Sequence, residues 1–258
     1  MFADLIPPSV AVDAVRVSTD VGELWLPADD RVILPYMKSS GTWEPGEAQM
    51  LRSLLQPNSR FLDVGANVGY FSALAAKLCP QGTIDAVEPE PRSVSLLRLN
   101  LWTLAPHARV WPVGLGLRRG IAALRTEEGN PGNTFVEEDS PRASRLTALV
   151  CGDELFAGRR FDVIKVDVQG YEPEVIRGLE ETLRQSGNVS LVVEFFPEAL
   201  RQRGLSPSEV LRLYRGMGFE RLADVAGRLL RLDDEELLSM CQSSGKNGFV
   251  NLLLRKTF

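Results

Sequence analysis

Phe61-Leu62-Asp63-Val64-Gly65-Ala66-Asn67-Val68-Gly69-Tyr70-Phe71 is the stretch on which the fold of this chain turns. Arg60–Val64 is a compact apolar run ending at Gly65, the pattern of a buried strand. Phe71, Leu74, Ala75 and Leu78 follow at i, i+3, i+4 and i+7, the spacing of an amphipathic helix. A strand that runs into a Gly-rich turn and then a helix builds a ligand site at the carboxyl end of an open α/β sheet. Gly65 and Gly69 allow close backbone approach to a ligand and dihedrals that a Cβ would penalise. The helix start after Gly69 offers N–H groups and a partial positive charge to a carboxylate. Asp63 offers the opposite charge to an ammonium. A free amino acid carries both groups.

The same alternation continues outward. Thr83–Glu88 reads as the next strand, Val94, Leu97, Leu101 and Leu104 mark a helix, and Ala108–Val113 is a third strand. Phe161–Asp167 and Val189–Phe195 are two more, separated by a helix with Val175, Ile176, Leu179 and Leu183 on one face. Ser206-Pro207-Ser208-Glu209 predicts a helix start with a capping box. Val210, Leu213, Tyr214 and Met217 continue that helix, Gly218 ends it, and Phe219–Leu222 and Phe249–Leu254 read as the last strands. Strands and helices alternating at this length predict a doubly wound, mostly parallel sheet covered on both faces. Residues 114–150 read as irregular structure or a small hairpin. The first 44 residues lie outside the rhythm, with apolar runs at Val10–Val17 and Val32–Leu34 and prolines at Pro7, Pro8, Pro27 and Pro35. They are expected to form a short β-rich extension, leaving 45–258 as the main domain.

Glu88 lies about 20 residues past the turn, at the end of the second strand, where a carboxylate accepts hydrogen bonds from both hydroxyls of a ribose. Pro89 behind it is placed to pack on an adenine. An amino acid joined to an adenosine is S-adenosylmethionine, which is the cofactor expected here. The competing reading makes Asp63 a turn cap and Glu88 a solvated strand end, but their pairing at this spacing favours the cofactor. A dinucleotide fits less well: its GxGxxG fingerprint from Gly65 requires glycine where this chain has Asn67 and Tyr70, and Asp63 would repel pyrophosphate.

A third cluster runs from Phe161 through Lys165, Asp167, Gln169 and Tyr171 to Glu172. Asp167 ends a strand expected beside the first one, and Glu194 ends the strand after that. Either is a candidate general base toward a hydroxyl, the alternative for Asp167 being a strand terminus that only shapes the pocket. Gln169 and Tyr171 are candidate polar contacts. Lys165 inside an apolar strand demands a carboxylate partner, Asp63 or Glu194 being the candidates. His107, the sole histidine, reads as a surface residue.

Composition narrows the field. Of 258 residues, 44% are hydrophobic and 24% charged, and 29 Lys+Arg stand against 34 Asp+Glu for a net charge of -5. That balance suits a globular protein and disfavours broad contact with a nucleic-acid backbone. Arg118-Arg119 and Arg159-Arg160 read as solvated loop charges. No run approaches the roughly 20 apolar residues of a membrane span, and no secretory leader is legible, so a cytoplasmic chain with no membrane partner is expected. Cys79, Cys151 and Cys241 are isolated, which predicts reduced thiols. No zinc-ligand spacing is present and no metal is expected.

Taken together, Asp63-Val-Gly-Ala-Asn-Val-Gly-Tyr-Phe, Val87-Glu88-Pro89, Ile164-Lys-Val-Asp-Val-Gln-Gly-Tyr-Glu172 and Val193-Glu194 resemble the FkbM family of methyltransferases over about residues 42 to 200. The resemblance implies the class I, Rossmann-like methyltransferase fold, a seven-stranded sheet with an antiparallel last strand. It implies transfer from S-adenosylmethionine, mostly to hydroxyls of sugars, polyketides and similar small metabolites. Asp63, Gly65, Asn67, Gly69 and Glu88 match cofactor positions, to which Ala66, Tyr70 and Pro89 are adjacent, and Asp167 matches the strand-end acid. Gln169 departs from the acidic residue the family often carries, which argues against a metal role for that loop. An amine acceptor, for instance on an amino sugar, and a non-catalytic binding scaffold stand as alternatives. The segment 1–44 has two readings: a lid over the site, with Trp43 and Glu44 touching cofactor or acceptor, or a cover for the outer sheet face.

Overall fold

The computed structural model describes residues 12–137, 145–245 and 248–256. Strands β1 (Ala14–Thr19) and β2 (Gly22–Pro27) form a hairpin, followed by helices α1 (Ile33–Ser40) and α2 (Pro45–Leu54). The alternating unit runs β3 (Arg60–Val64), α3 (Tyr70–Leu78), β4 (Thr83–Val87), α4 (Pro91–Leu104) and β5 (Arg109–Trp111). Four strands interrupt it: β6 (Gly114–Gly116), β7 (Gly120–Glu127), β8 (Asn130–Glu137) and β9 (Leu146–Cys151). The unit resumes with α5 (Gly152–Leu155), β10 (Val163–Val166), α6 (Glu172–Gly178), α7 (Glu180–Ser186) and β11 (Val189–Phe195). It closes with α8 (Pro197–Gln202), α9 (Pro207–Gly216), β12 (Glu220–Val225), β13 (Arg228–Leu230), α10 (Asp234–Ser243) and β14 (Val250–Lys256).

The main sheet has the order β5-β4-β3-β10-β11-β14-β12-β13. Strands β5 through β11 in that order are mutually parallel, and β14 inserts antiparallel between β11 and β12. This is the expected class I methyltransferase sheet, with the short β13 added at one edge. The chain winds outward from β3 to β5, then crosses back to β10 on the other side of β3. The order therefore reverses between β3 and β10, and their carboxyl ends frame the crevice where such sheets bind ligands.

Alternate side chains of the central strands feed two cores. Leu62, Val64, Ile164, Val166, Leu191 and Val193 face one side, packed with Tyr171, Val175, Leu179 and Leu211. Phe61, Val163 and Val192 face the other, packed with α2, α3, α4 and the N-terminal hairpin. Polar Asp63 and Lys165 also lie on this second side, paired in register across the β3–β10 ladder. Asn100 of α4 fastens the hairpin: it accepts from the Trp25 N–H at 2.7 Å and donates to the Trp25 and Val68 carbonyls at 3.0 and 2.8 Å.

Several local expectations change. Residues 114–150 are a four-stranded sheet, β6-β9-β7-β8, built around the β7–β8 hairpin, with 138–144 outside the described residues. The N-terminal extension is a hairpin followed by a helix: Val32–Leu34 begins α1, although Pro35 sits in its first turn, where a missing N–H costs nothing. Val10 and Ala11, with Pro7 and Pro8, lie outside the described residues. The helix expected between β10 and β11 is two short helices meeting at Leu179. Ser206 is the N-cap of α9 with Pro207 behind it, but its side chain makes no capping bond. A complete capping box forms instead between Asp233 and Glu236 on α10. Cys79 and Cys241 are buried free thiols and Cys151 is a partly buried one.

Candidate active site

The turns after β3 and β10 are built around each other. A Cβ on Gly65, whose φ is +84°, would lie 1.9 Å from the Asp167 carbonyl oxygen. Glycine is therefore required there by the neighbouring strand end rather than by a ligand. Gly69 adopts φ +93° as N-cap of α3, and a Cβ on it would press into Leu97 of α4. The loop's own donors are largely spent within the protein. Gly65 and Ala66 N–H both donate to the Val87 carbonyl at 3.0 Å, and Asn67 N–H donates to Glu88 at 2.9 Å. Gly65, Ala66 and Gly69 thus contribute the shape of the loop, while Asn67 lines the cavity described below.

Asp63 is buried, accepting from the Ser72 hydroxyl at 2.6 Å through one oxygen, while its other oxygen, Oδ1, has no hydrogen-bond partner. Burial raises its carboxyl, opposed by Lys165 and Ser72. An orphaned, buried carboxylate oxygen behind a Gly-rich loop is what a ligand ammonium would satisfy. Glu88 accepts backbone N–H groups of Asn67 and Glu90, each at 2.9 Å, so the second acid is tied directly to the loop. Burial pushes Glu88 up to about 7 in spite of those two donors. Pro89 is partly buried beside it. Tyr70 turns away: its hydroxyl bonds Thr42 Oγ1 at 2.8 Å and Asp20 at 2.9 Å, so its polar end serves the N-terminal segment.

At the carboxyl ends of β10 and β11 opens a cavity of about 810 Å³. Tyr36, Trp43 and Glu44 wall it on the N-terminal side, Arg125, Asn130 and Phe135 on the β7–β8 side, and Asp167, Gln169, Glu194 and Phe196 at the sheet end. Trp43 meets Tyr36 edge-on at 5.5 Å. Tyr171 does not reach this cavity; it is buried under the Arg203 guanidinium, 4.3 Å from its ring. Sequence reasoning misses Tyr36, Arg125 and Phe135, because the hairpin and helix that carry them leave no clear periodic signal.

Lys165 corrects the expected pairing. Its ammonium, only 1% exposed, donates to Asp167 Oδ2 at 2.9 Å and lies 3.8 Å from Glu47 and 4.8 Å from the centre of the Phe71 ring. Asp63 contributes charge without direct contact, and Glu194 is not its partner. Burial alone would strip its proton, but Asp167, Glu47 and Asp63 outweigh that and hold Lys165 cationic. The Gln169 amide donates to both Asp167 and Glu194 at 3.1 Å, so it joins the two candidate bases. Burial, then Asp167 and Glu172, push Glu194 well above the usual carboxylate range. Glu44 is the N-cap of α2 in a left-handed conformation (φ 41°), with its carboxylate close to those of Glu47 and Asp167. No metal-ligand spacing revealed this trio, because Glu47 reaches it only once α2 lies across β10.

Elsewhere, His107 is exposed, as expected. Arg159 is not a loose loop charge: it donates to buried Asp85 at 2.6 Å and sits 5.5 Å over the Trp111 ring. Arg119 pairs with Glu154 at the surface. No helix among the described residues is long and apolar enough to cross a membrane.

Residues 63–221 match the model of the methyltransferase FkbM domain. Methyltransferase sdnD of Sordaria araneosa is 28% identical over 207 residues, covering 67% of this chain and 78% of that protein. Hexuronic acid methyltransferase AglP of Haloferax volcanii is 28% identical over 174 residues, covering 65% of this chain and 67% of that protein. Among solved structures, methyltransferase FkbM from Methylobacillus flagellatus KT superposes with a TM-score of 0.51 at 13% identity, over 78% of this chain and 44% of that one, a likeness of fold.

Proposed function

The chain belongs to the FkbM family of methyltransferases, and from that premise we propose that it moves a methyl group from S-adenosylmethionine to a hydroxyl of a sugar, polyketide or similar small metabolite. The observation that carries the cofactor is Asp63 Oδ1, a buried oxygen lacking a partner directly before the Gly65–Gly69 loop. Asp63 holds the ammonium, the start of α3 the carboxylate, and Glu88, with Pro89 beside it, the ribose and adenine. Bound cofactor supplies an electrophilic methyl group. The chain's residues then have two tasks: to place an acceptor oxygen and to take its proton.

Asp167 takes the proton. Lys165 and Gln169 fix its carboxylate, and it faces the cavity. Glu194 orients the acceptor through a hydrogen bond. The aromatic walls at Tyr36, Trp43, Phe135 and Phe196 suit the apolar faces of a sugar or polyketide ring. The described part of the N-terminal segment serves as the wall that shields this reaction from water, Trp43 and Glu44 being its contacts.

Calorimetry on the purified chain tests the reading: S-adenosylhomocysteine binds and NAD does not. Tight NAD binding without a response to S-adenosylhomocysteine refutes it. The titration of Glu88 gives a finer check. Its ionised form accepts from ribose hydroxyls, so affinity for S-adenosylhomocysteine rises with pH through about 7 and then levels off. In the free protein the sign is opposite: a raised carboxyl stabilises the fold at low pH, and that contribution is lost as pH climbs through about 7. Glu88→Gln flattens the binding profile and weakens affinity by ~1–3 kcal/mol. A pH-independent wild type means the ribose is held elsewhere.

A further inference from the structure

The wall of the cavity concentrates negative charge beyond what its cation offsets. One carboxylate oxygen from each of Glu44, Glu47 and Asp167 lies within 4.8 Å of the others. Glu47 is 1% exposed, and among the described residues neither of its oxygens accepts from an N–H or hydroxyl donor, its neighbours being the Lys165 ammonium and the Glu44 carboxyl. Lys165 is the ammonium at hand, 2.9 Å from Asp167 and 3.8 Å from Glu47. Three carboxylates and one ammonium leave two negative charges in a site largely withdrawn from water. Buried charge of that kind is tolerated only when paired.

We propose that Glu44, Glu47 and Asp167 bind one divalent cation of the oxygen-preferring class, Mg²⁺ or Mn²⁺, at the cavity wall beside Lys165. Two positive charges bring the cluster to neutrality and give the orphaned Glu47 oxygens a partner. Hard cations take carboxylate oxygens as ligands and keep open positions for water or substrate. Glu44 and Asp167 line the cavity and Glu47 lies behind them, so the open positions face the acceptor side. On the methyl-transfer reading, a bound cation would also hold the acceptor's hydroxyl and lower its pKa, lightening the work of Asp167. The site itself stands independently of that reading.

The full chain, stripped with a chelator and titrated with Mn²⁺ by calorimetry, is expected to bind one ion with a Kd below ~1 mM, saturation raising Tm. Glu47→Gln weakens that binding by about tenfold or more, and Glu44→Gln serves as the second variant should the first not fold. Wild-type protein that shows no saturable Mn²⁺ binding overturns the proposal, as does undiminished binding in a folded variant. Mn²⁺ binding lost with Glu47→Gln, in a chain that ignores S-adenosylhomocysteine, keeps the cation site and removes the methyltransferase reading. The reverse pattern removes the cation site alone.

Discussion

Replacing Asp167 by asparagine lowers turnover by about 10²–10⁴ and leaves affinity for S-adenosylhomocysteine within a few-fold, the range of a lost general base. Asparagine keeps the volume of the side chain at the end of β10, and the Gly65 contact involves the Asp167 backbone carbonyl, which the substitution does not touch. What disappears is the negative charge facing the cavity, together with the nearest counter-charge of the buried Lys165 ammonium. The measurement is transfer of a labelled methyl group to the acceptor that a screen of glycosides and polyketides identifies, alongside calorimetry of the variant. Equal loss of cofactor affinity and turnover makes Asp167 a cofactor ligand instead.

Removing residues 1–44 has a still larger effect, on folding. Val17, Val21, Leu24, Leu26, Ile33, Leu34 and Met37 are all buried in the core shared with α3, α4 and the sheet. At about 1.5–3 kcal/mol for each fully buried side chain, their loss comes to about 10–20 kcal/mol, as large as or larger than the ~5–15 kcal/mol by which a domain is stable. The truncated chain is therefore expected to be insoluble or to melt without a cooperative transition. A soluble truncated protein with a sharp thermal transition refutes this. Within this segment the hairpin packs against α4, and Tyr36 and Trp43 line the cavity.

What is legible in the sequence follows from the range of the forces involved. The order β3, α3, β4, α4 reads to within a few residues because strand, turn and helix each carry a local signal: an apolar run, spaced glycines, a period of 3.6. Asp63 and Glu88 are legible for the same reason, since strand ends fix where their side chains emerge. The partner of Lys165 is not. Choosing Asp167 over Asp63 or Glu194 depends on side-chain reach along one strand end, which periodicity does not encode. Glu47 passes as an ordinary first-turn acid, because only the packing of α2 across β10 buries it. The small sheet of β6 to β9 escapes notice because its glycines, prolines and charges blur the strand alternation. Ser206 shows the converse. A sequence that fits the capping box leaves the bond unmade, and the complete box is made at Asp233 instead.

Tyr70 begins the cofactor helix, yet its hydroxyl is spent on Thr42 and Asp20, two separate points of the N-terminal segment. One rigid ring therefore ties the start of α3 to Thr42, the residue next to Trp43 of the cavity wall. A ligand at the loop and one in the cavity would be coupled through this hydroxyl to the same degree in both directions.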